Sequence, residues 1–168
     1  MPKYLDPSKP CACSSGKTHA ACCRPYLRGE QEAPDAVSLM RSRYSAFALE
    51  NAAYLLRTLH ASLPERAQPE SEMLTLLRRA CRAYDYPGLQ ILEEKTDGAK
   101  AEVLFLAQMF KQGKDESFLE RSEFALENGR WFYTTGKMRR ASEVEAPTKV
   151  TFATFVPGKD EGDEAVTV

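Results

Sequence analysis

Tyr86-Pro87-Gly88-Leu89-Gln90-Ile91-Leu92-Glu93-Glu94-Lys95-Thr96-Asp97-Gly98-Ala99-Lys100-Ala101-Glu102-Val103-Leu104-Phe105-Leu106-Ala107-Gln108-Met109-Phe110-Lys111 is the stretch on which the fold class depends. Tyr86-Pro87-Gly88 ends helical character, and beyond it the apolar period drops from about 3.6 residues to 2. Leu89 to Lys95 therefore reads as a strand, Asp97-Gly98 as a turn, and Lys100 to Lys111 as a long second strand. Val103, Phe105, Ala107 and Met109 share one face of that strand, while Leu104, Leu106 and Phe110 occupy the other. Both faces thus need cover, by helices on one side and by a second subunit on the other.

Further along, Gly113 marks a turn, Glu116 to Glu127 reads as a third strand, and Asn128-Gly129 is the strongest two-residue hairpin signal in the chain. Arg130 to Lys137 returns as a fourth strand carrying Trp131, Phe132 and Tyr133. Before the sheet the period is helical. Asp35 is placed to cap a first helix whose stripe is Val37, Met40, Tyr44, Phe47 and Ala48. Asn51 to His60 forms a second around Ala52, Leu55, Leu56 and Leu59, and Glu70 to Tyr84 a third around Met73, Leu74, Leu77, Ala80, Cys81 and Tyr84. Three helices followed by an antiparallel meander make an α+β domain.

Ahead of the helices lies a different kind of sequence. Cys11-Ala12-Cys13-Ser14-Ser15-Gly16-Lys17-Thr18-His19-Ala20-Ala21-Cys22-Cys23 packs four thiols into a short loop, and soft thiolates at this density suit tetrahedral Zn²⁺. Four thiolates leave no open coordination position, so the metal is expected to be structural, one Zn²⁺ per chain. Ser14, Ser15 and Gly16 supply a tight turn and donors for the thiolates, Lys17 offsets their charge, and His19 is an alternative ligand. Ser15-Gly16-Lys17-Thr18 resembles the end of a phosphate-binding loop, but that motif needs a glycine where Cys11 stands and a preceding strand.

Composition limits the rest. The 168 residues suffice for one main domain and a small appended module, and no apolar run approaches the ~20 residues of a membrane helix. The net charge of −1 lacks the basic excess of a nucleic-acid binder, so RNA contact through Arg24 and Arg28 is not favoured. The start, Met1 to Pro10, is polar and broken by prolines, which points to the cytoplasm, where clustered cysteines bind metal in preference to forming disulfides.

The cysteine pattern resembles the SEC-C motif, a small zinc-binding element found at the end of the SecA translocation ATPase. Pro34-Asp35, Leu39-Met40-Arg41-Ser42-Arg43-Tyr44-Ser45-Ala46-Phe47 and the later Glu120-Arg121-Ser122 with Phe124 are similar to stretches of the YchJ family. That resemblance runs from about Cys11 to Lys137. It implies a SEC-C-like module over residues 1–29 and a cone-shaped nuclear-transport-factor-2-like domain over 30–140. It also implies Cys11, Cys13, Cys22 and Cys23 as zinc ligands, and a partner of the translocation or translation type, a protein or a ribosome. Some relatives end in a second SEC-C motif, but here no cysteine follows Cys81. Residues 141–168 read instead as an acidic, mobile tail with one edge strand from Val150 to Val156.

Two functions compete on this reading: a noncatalytic adaptor, or a small-molecule binder or enzyme of isomerase or dehydratase type using the cone. Glu120, Tyr44, Tyr54 and His60 are the cavity candidates for the second. Alternation puts Glu120 on an apolar face with Phe118, Ser122, Phe124 and Leu126, where a carboxylate is paired or chemically useful. A structural pair with Arg41 or Arg43 is the plainer reading of it. His60 reads first as a solvated or capping residue and second as a base. Cys81 reads as a buried small hydrophobe, and Arg78, Arg79 and Arg82 as a solvated helix face.

Overall fold

The computed structural model describes residues 1–159. Helices α1 (Arg24–Leu27), α2 (Ala36–Ala48), α3 (Ala52–Arg57) and α4 (Glu70–Ala83) precede strands β1 (Asp85–Asp97), β2 (Lys100–Lys111), β3 (Lys114–Asp115), β4 (Phe118–Glu127) and β5 (Arg130–Arg140). The antiparallel sheet runs β1-β2-β4-β5, with β3 paired to β2. Asp35 caps α2 by accepting from the Ser38 N–H, and Asn51 caps α3 by accepting from the Tyr54 N–H. The Asn128-Gly129 hairpin places both residues at positive φ, 50° and 75°, as a type I′ turn requires.

Several boundaries differ from the sequence reading. α3 ends at Arg57, so His60 lies beyond the helix, where its N–H donates to the Tyr133 carbonyl. Strand β1 starts at Asp85 and takes in Tyr86-Pro87-Gly88; Pro87 is tolerated because β1 is an edge. Val150 to Val156 forms no strand. A turn at Thr151–Phe155 stands there, and the segment lies against the sheet. The acidic stretch from Asp160 to Glu164 falls outside the described residues.

The core fills the space between α2, α3, α4 and one sheet face. Val103, Phe105 and Ala107 have no exposure there, and one fully buried phenylalanine contributes about 2–3 kcal/mol. Leu104, Leu106 and Leu119, on the opposite face, are buried too. Register shifts in the ladders set which side chains share a face. The ladder slips between Ile91 and Glu93, pairing Glu93 with Leu104, and slips again at Thr134, so that Tyr133 pairs with Phe124 and Gly136 with Ser122. Without the second slip Tyr133 and Gly136 would face opposite sides. Among the described residues no helix is long and apolar enough to cross a membrane.

Candidate metal centre and buried carboxylate

A miniature hairpin brings the four thiols together. Pro10 bridges to Thr18, Cys11 N–H donates to the Lys17 carbonyl, and His19 N–H donates to the Lys9 carbonyl. Ser14 and Gly16, at φ 58° and 81°, turn the chain so that Cys11 and Cys13 face Cys22 and Cys23 at the start of α1. All four Sγ atoms lie within 4.8 Å of one another, with Cys13 to Cys22 at 3.5 Å and Cys22 to Cys23 at 3.7 Å. Sulfurs bound tetrahedrally at about 2.3 Å stand about 3.8 Å apart, so this donor set can hold a metal ion.

Hydrogen bonds within the quartet pull the Cys13 and Cys22 thiols down and push Cys11 and Cys23 up, so two of the four favour the thiolate, the form that binds metals. Hydrogen bonding, from Cys23 foremost and then from Ser15, pulls the Cys22 thiol down to about 6 against its burial. Ser15 Oγ is 3.1 Å from Cys22 Sγ, and Ser45 Oγ of α2 is 3.7 Å from Cys11 Sγ. His19 Nδ1 stands 3.8 Å from Cys11 Sγ, as a neighbour outside the cysteine quartet.

The Arg41-to-Ser45 run makes a different connection at every residue. Arg41 donates to the Cys13 carbonyl at 2.9 Å, and Ser42 meets the Tyr54 hydroxyl at 2.6 Å. Arg43 donates to the Leu55 carbonyl and to Thr58 Oγ1 at 2.9 and 2.6 Å. Tyr44 donates to the Gln108 carbonyl and accepts from the Gly88 N–H. Ser45 approaches Cys11 as described. Arg41 and Arg43 thus point to different places, as their spacing requires, and only Arg41 serves the cysteine module. Leu89 N–H also donates to Ser14 Oγ. A Cβ at Gly88 would stand 3.2 Å from that oxygen and 2.8 Å from Gln108 Oε1, so glycine lets the module sit against β1.

The four cavity candidates belong to separate hydrogen-bond systems. Tyr44 and Tyr54 are buried in the contacts just named, and burial pushes the Tyr54 hydroxyl up to about 12. His60 pairs on the outside with Glu127, Nε2 to Oε1 2.7 Å, and with Ser62. Glu120 is fully buried, and its Oε1 accepts from Ser122 Oγ at 2.6 Å and from the Tyr133 hydroxyl at 2.8 Å. Burial pushes its carboxyl up to about 7, opposed by those two hydrogen bonds and by the charge of Arg43. The expected direct Arg–Glu pair is not formed. The Arg43 guanidinium lies over the Tyr133 ring, 4.9 Å from its centroid, and Tyr133 carries the contact to Glu120. Of the residues that complete this network, Gly136 has no signal in the sequence, because the bulge at Thr134 is what brings it to the face of Glu120.

A cleft separates the module from the domain. Ser15, Lys17, Cys22 and Tyr26 line one side, and Val37, Arg41 and Glu94 line the other. Cys22 is the one thiol of the four that is not buried.

Comparison with known proteins bears on both halves. Residues 35–136 match the family described as YchJ, middle NTF2-like domain. The chain belongs to the YchJ family. A UPF0225 protein of Deinococcus radiodurans is 39% identical over 133 residues, covering 79% of this chain and 92% of its own. The UPF0225 protein YchJ of Shigella dysenteriae is 37% identical over 131 residues, covering 77% and 83%. The solution structure of a SEC-C motif containing protein from Rhodopseudomonas palustris superposes with a TM-score of 0.67 at 33% identity, covering 76% of this chain and 96% of that one. A crystal structure of a SEC-C motif containing protein from Psychrobacter arcticus gives 0.60 at 25%, covering 73% of each. The YchJ fold here is therefore the NTF2-like α+β arrangement, with the cysteine cluster at its amino-terminal side.

Proposed function

We propose that this YchJ-family chain is a cytoplasmic zinc-binding accessory protein that engages a protein or ribonucleoprotein partner through its amino-terminal module. Cys11, Cys13, Cys22 and Cys23 hold one structural Zn²⁺, which fixes the loop that forms one wall of the cleft. The observation that carries the reading is the position of Cys22: the least buried member of the quartet opens onto a cleft that the module shares with α2 and β1. A closed tetrathiolate site has no position for substrate, so its contribution is to shape a surface. The isomerase or dehydratase reading needs two of Glu120, Tyr44, Tyr54 and His60 to face a common space, and their hydrogen bonds point them to four different places.

The test uses the full chain as bait in cell lysate beside a Lys17→Glu/Ala21→Arg variant, which changes only exposed cleft residues. Both are checked for equal zinc content and equal unfolding midpoints. A protein or ribonucleoprotein retained by the parent and lost by the variant supports the reading. Identical retention by both removes the cleft from it.

A further inference from the structure

The middle of the outer face of the sheet is buried, although none of α1 to α4 lies on it. Leu104, Leu106 and Leu119 are at most 7% exposed and belong to no part of the core beneath the helices. Their cover is the chain that follows β5. Its turn at Ala141–Glu143 lies on β4, and the turn at Pro147–Lys149 lies on β1. From there it turns back at Thr151–Phe155 and returns to β5, where Gly158 N–H donates to the Met138 carbonyl at 2.8 Å. The segment thus crosses the sheet and comes back without pairing as a strand.

One cross-strand row lies at the centre of the covered face. Glu93 on β1 pairs with Leu104 on β2, which pairs with Arg121 on β4. Phe152 sits over this row: its N–H donates to the Glu93 carboxylate, and its ring lies 4.9 Å from the Arg121 guanidinium carbon. Arg121 also holds Glu102 at 2.7 Å. Phe152 therefore caps an acid and a cation that stand one strand to either side of an apolar centre.

That layout is self-complementary. A two-fold axis running along β2 would stack two such sheets face to face, bringing leucines onto leucines and Glu93 of each copy opposite Arg121 of the other. We infer that residues 141–158 are an intramolecular strap occupying the surface on which a second copy of this chain docks. With the strap seated the chain is a monomer, and with the strap displaced it forms a sheet-to-sheet dimer. The polar ties that would have to break include the Glu93 contact, the ring on Arg121, Ala141 N–H to the Ser117 carbonyl, Gly158 to Met138, Arg139 to the Val156 carbonyl and Arg139 to Glu143. Phe152 and Phe155 are only half-buried, so release costs less than undoing a core element.

The experiment compares full-length parent and full-length Phe152→Ala by sedimentation equilibrium over a concentration series, with circular dichroism to confirm the fold. The alanine takes the ring off Arg121 without placing a carboxylate beside that guanidinium. The parent is expected to sediment as a monomer, and the variant to double its mass with concentration. Adding Arg121→Glu to the variant should return it to a monomer, and adding Glu93→Arg as well should restore the dimer. A folded Phe152→Ala that stays monomeric overturns the proposal, as does a parent that is dimeric with Phe152 protected from solvent. If Phe152→Ala does not fold, Phe152→Ser is read by the same criteria.

Discussion

Arg43 and Glu120, a base and an acid that are both fully buried, are joined only through Tyr133. The ring stacks against the guanidinium at 4.9 Å, and the hydroxyl donates to Glu120 at 2.8 Å. Arg43 Nε and Glu120 Oε2 have no hydrogen-bond partner. Keeping a carboxylate this deep without a direct cation favours its neutral form, which is why its pKa is raised to about 7.

This raised pKa has a signed consequence for stability. The folded state holds a proton on Glu120 up to about pH 7, whereas the unfolded chain loses it in the ordinary carboxyl range. Its contribution is therefore fully present below that ordinary range and is lost as pH rises through about 7, a change of about 3 kcal/mol. Urea unfolding at a series of pH values should show this decline in the parent and a flatter profile in Glu120→Gln. Equal slopes in the two would mean that Glu120 titrates over the same pH range in the folded and the unfolded chain.

Gly136 should not tolerate even a methyl group. A Cβ there would collide with the Glu120 carboxylate and would lie 2.6 Å from the Tyr133 hydroxyl. Gly136→Ala is expected to cost about 1–3 kcal/mol, the usual range for overpacking. Adding Glu120→Ala should cost less than the sum of the two single changes, because it removes the atoms in collision. Strict additivity in a double-mutant cycle would locate the strain elsewhere.

Metal removal should destabilise the whole chain and not the module alone. Arg41, Ser45 and Leu89 of the domain contact Cys13, Cys11 and Ser14 of the module, so ordering of one supports the other. Elemental analysis of natively purified protein should give one zinc per chain. Chelation, or Cys22→Ser, should then lower a single cooperative thermal transition. Two transitions, with the second unmoved by chelator, would show that the domain folds independently of the metal.

Arg41→Ala tests the link in isolation. Losing its hydrogen bond to the Cys13 carbonyl removes about 1.5–3 kcal/mol of charge-assisted bonding. Zinc transfer to a competing chelator should become at least ten-fold faster, while the far-ultraviolet spectrum stays that of the parent. An unchanged transfer rate would mean that Arg41 does not steady the metal loop.

The α+β class, the three main helices and the meander were all readable from the residues, because each depends on local periodicity and turn chemistry. Asp35, Asn128-Gly129 and the Val103-Phe105-Ala107-Met109 face behave as their positions dictate. The cysteine cluster was equally legible, since its four donors lie within thirteen residues and proximity in sequence limits their distance in space. Glu120 was correctly marked as a carboxylate on an apolar face, but its partner was not. Arg41 or Arg43 was the natural choice by charge, and Tyr133 takes the place because it stands opposite Phe124, on the face that carries Glu120.

What lies after β5 shows the limit of local reading most plainly. Residues 141–159 are rich in polar residues and lack a strand pattern, and such composition ordinarily marks a mobile tail. Their order comes from leucines some forty residues earlier that need cover, and from Glu93 and Arg121, which Phe152 joins. The sequence alone determined the element types, the order of the two modules and the donor set for a metal, because period, turn and ligand spacing are short-range. Only the tertiary structure decided which buried charge meets which partner and what covers the far side of the sheet. Those depend on bulge positions and on contacts between residues far apart in the chain, whose free energies exist only once the fold has closed.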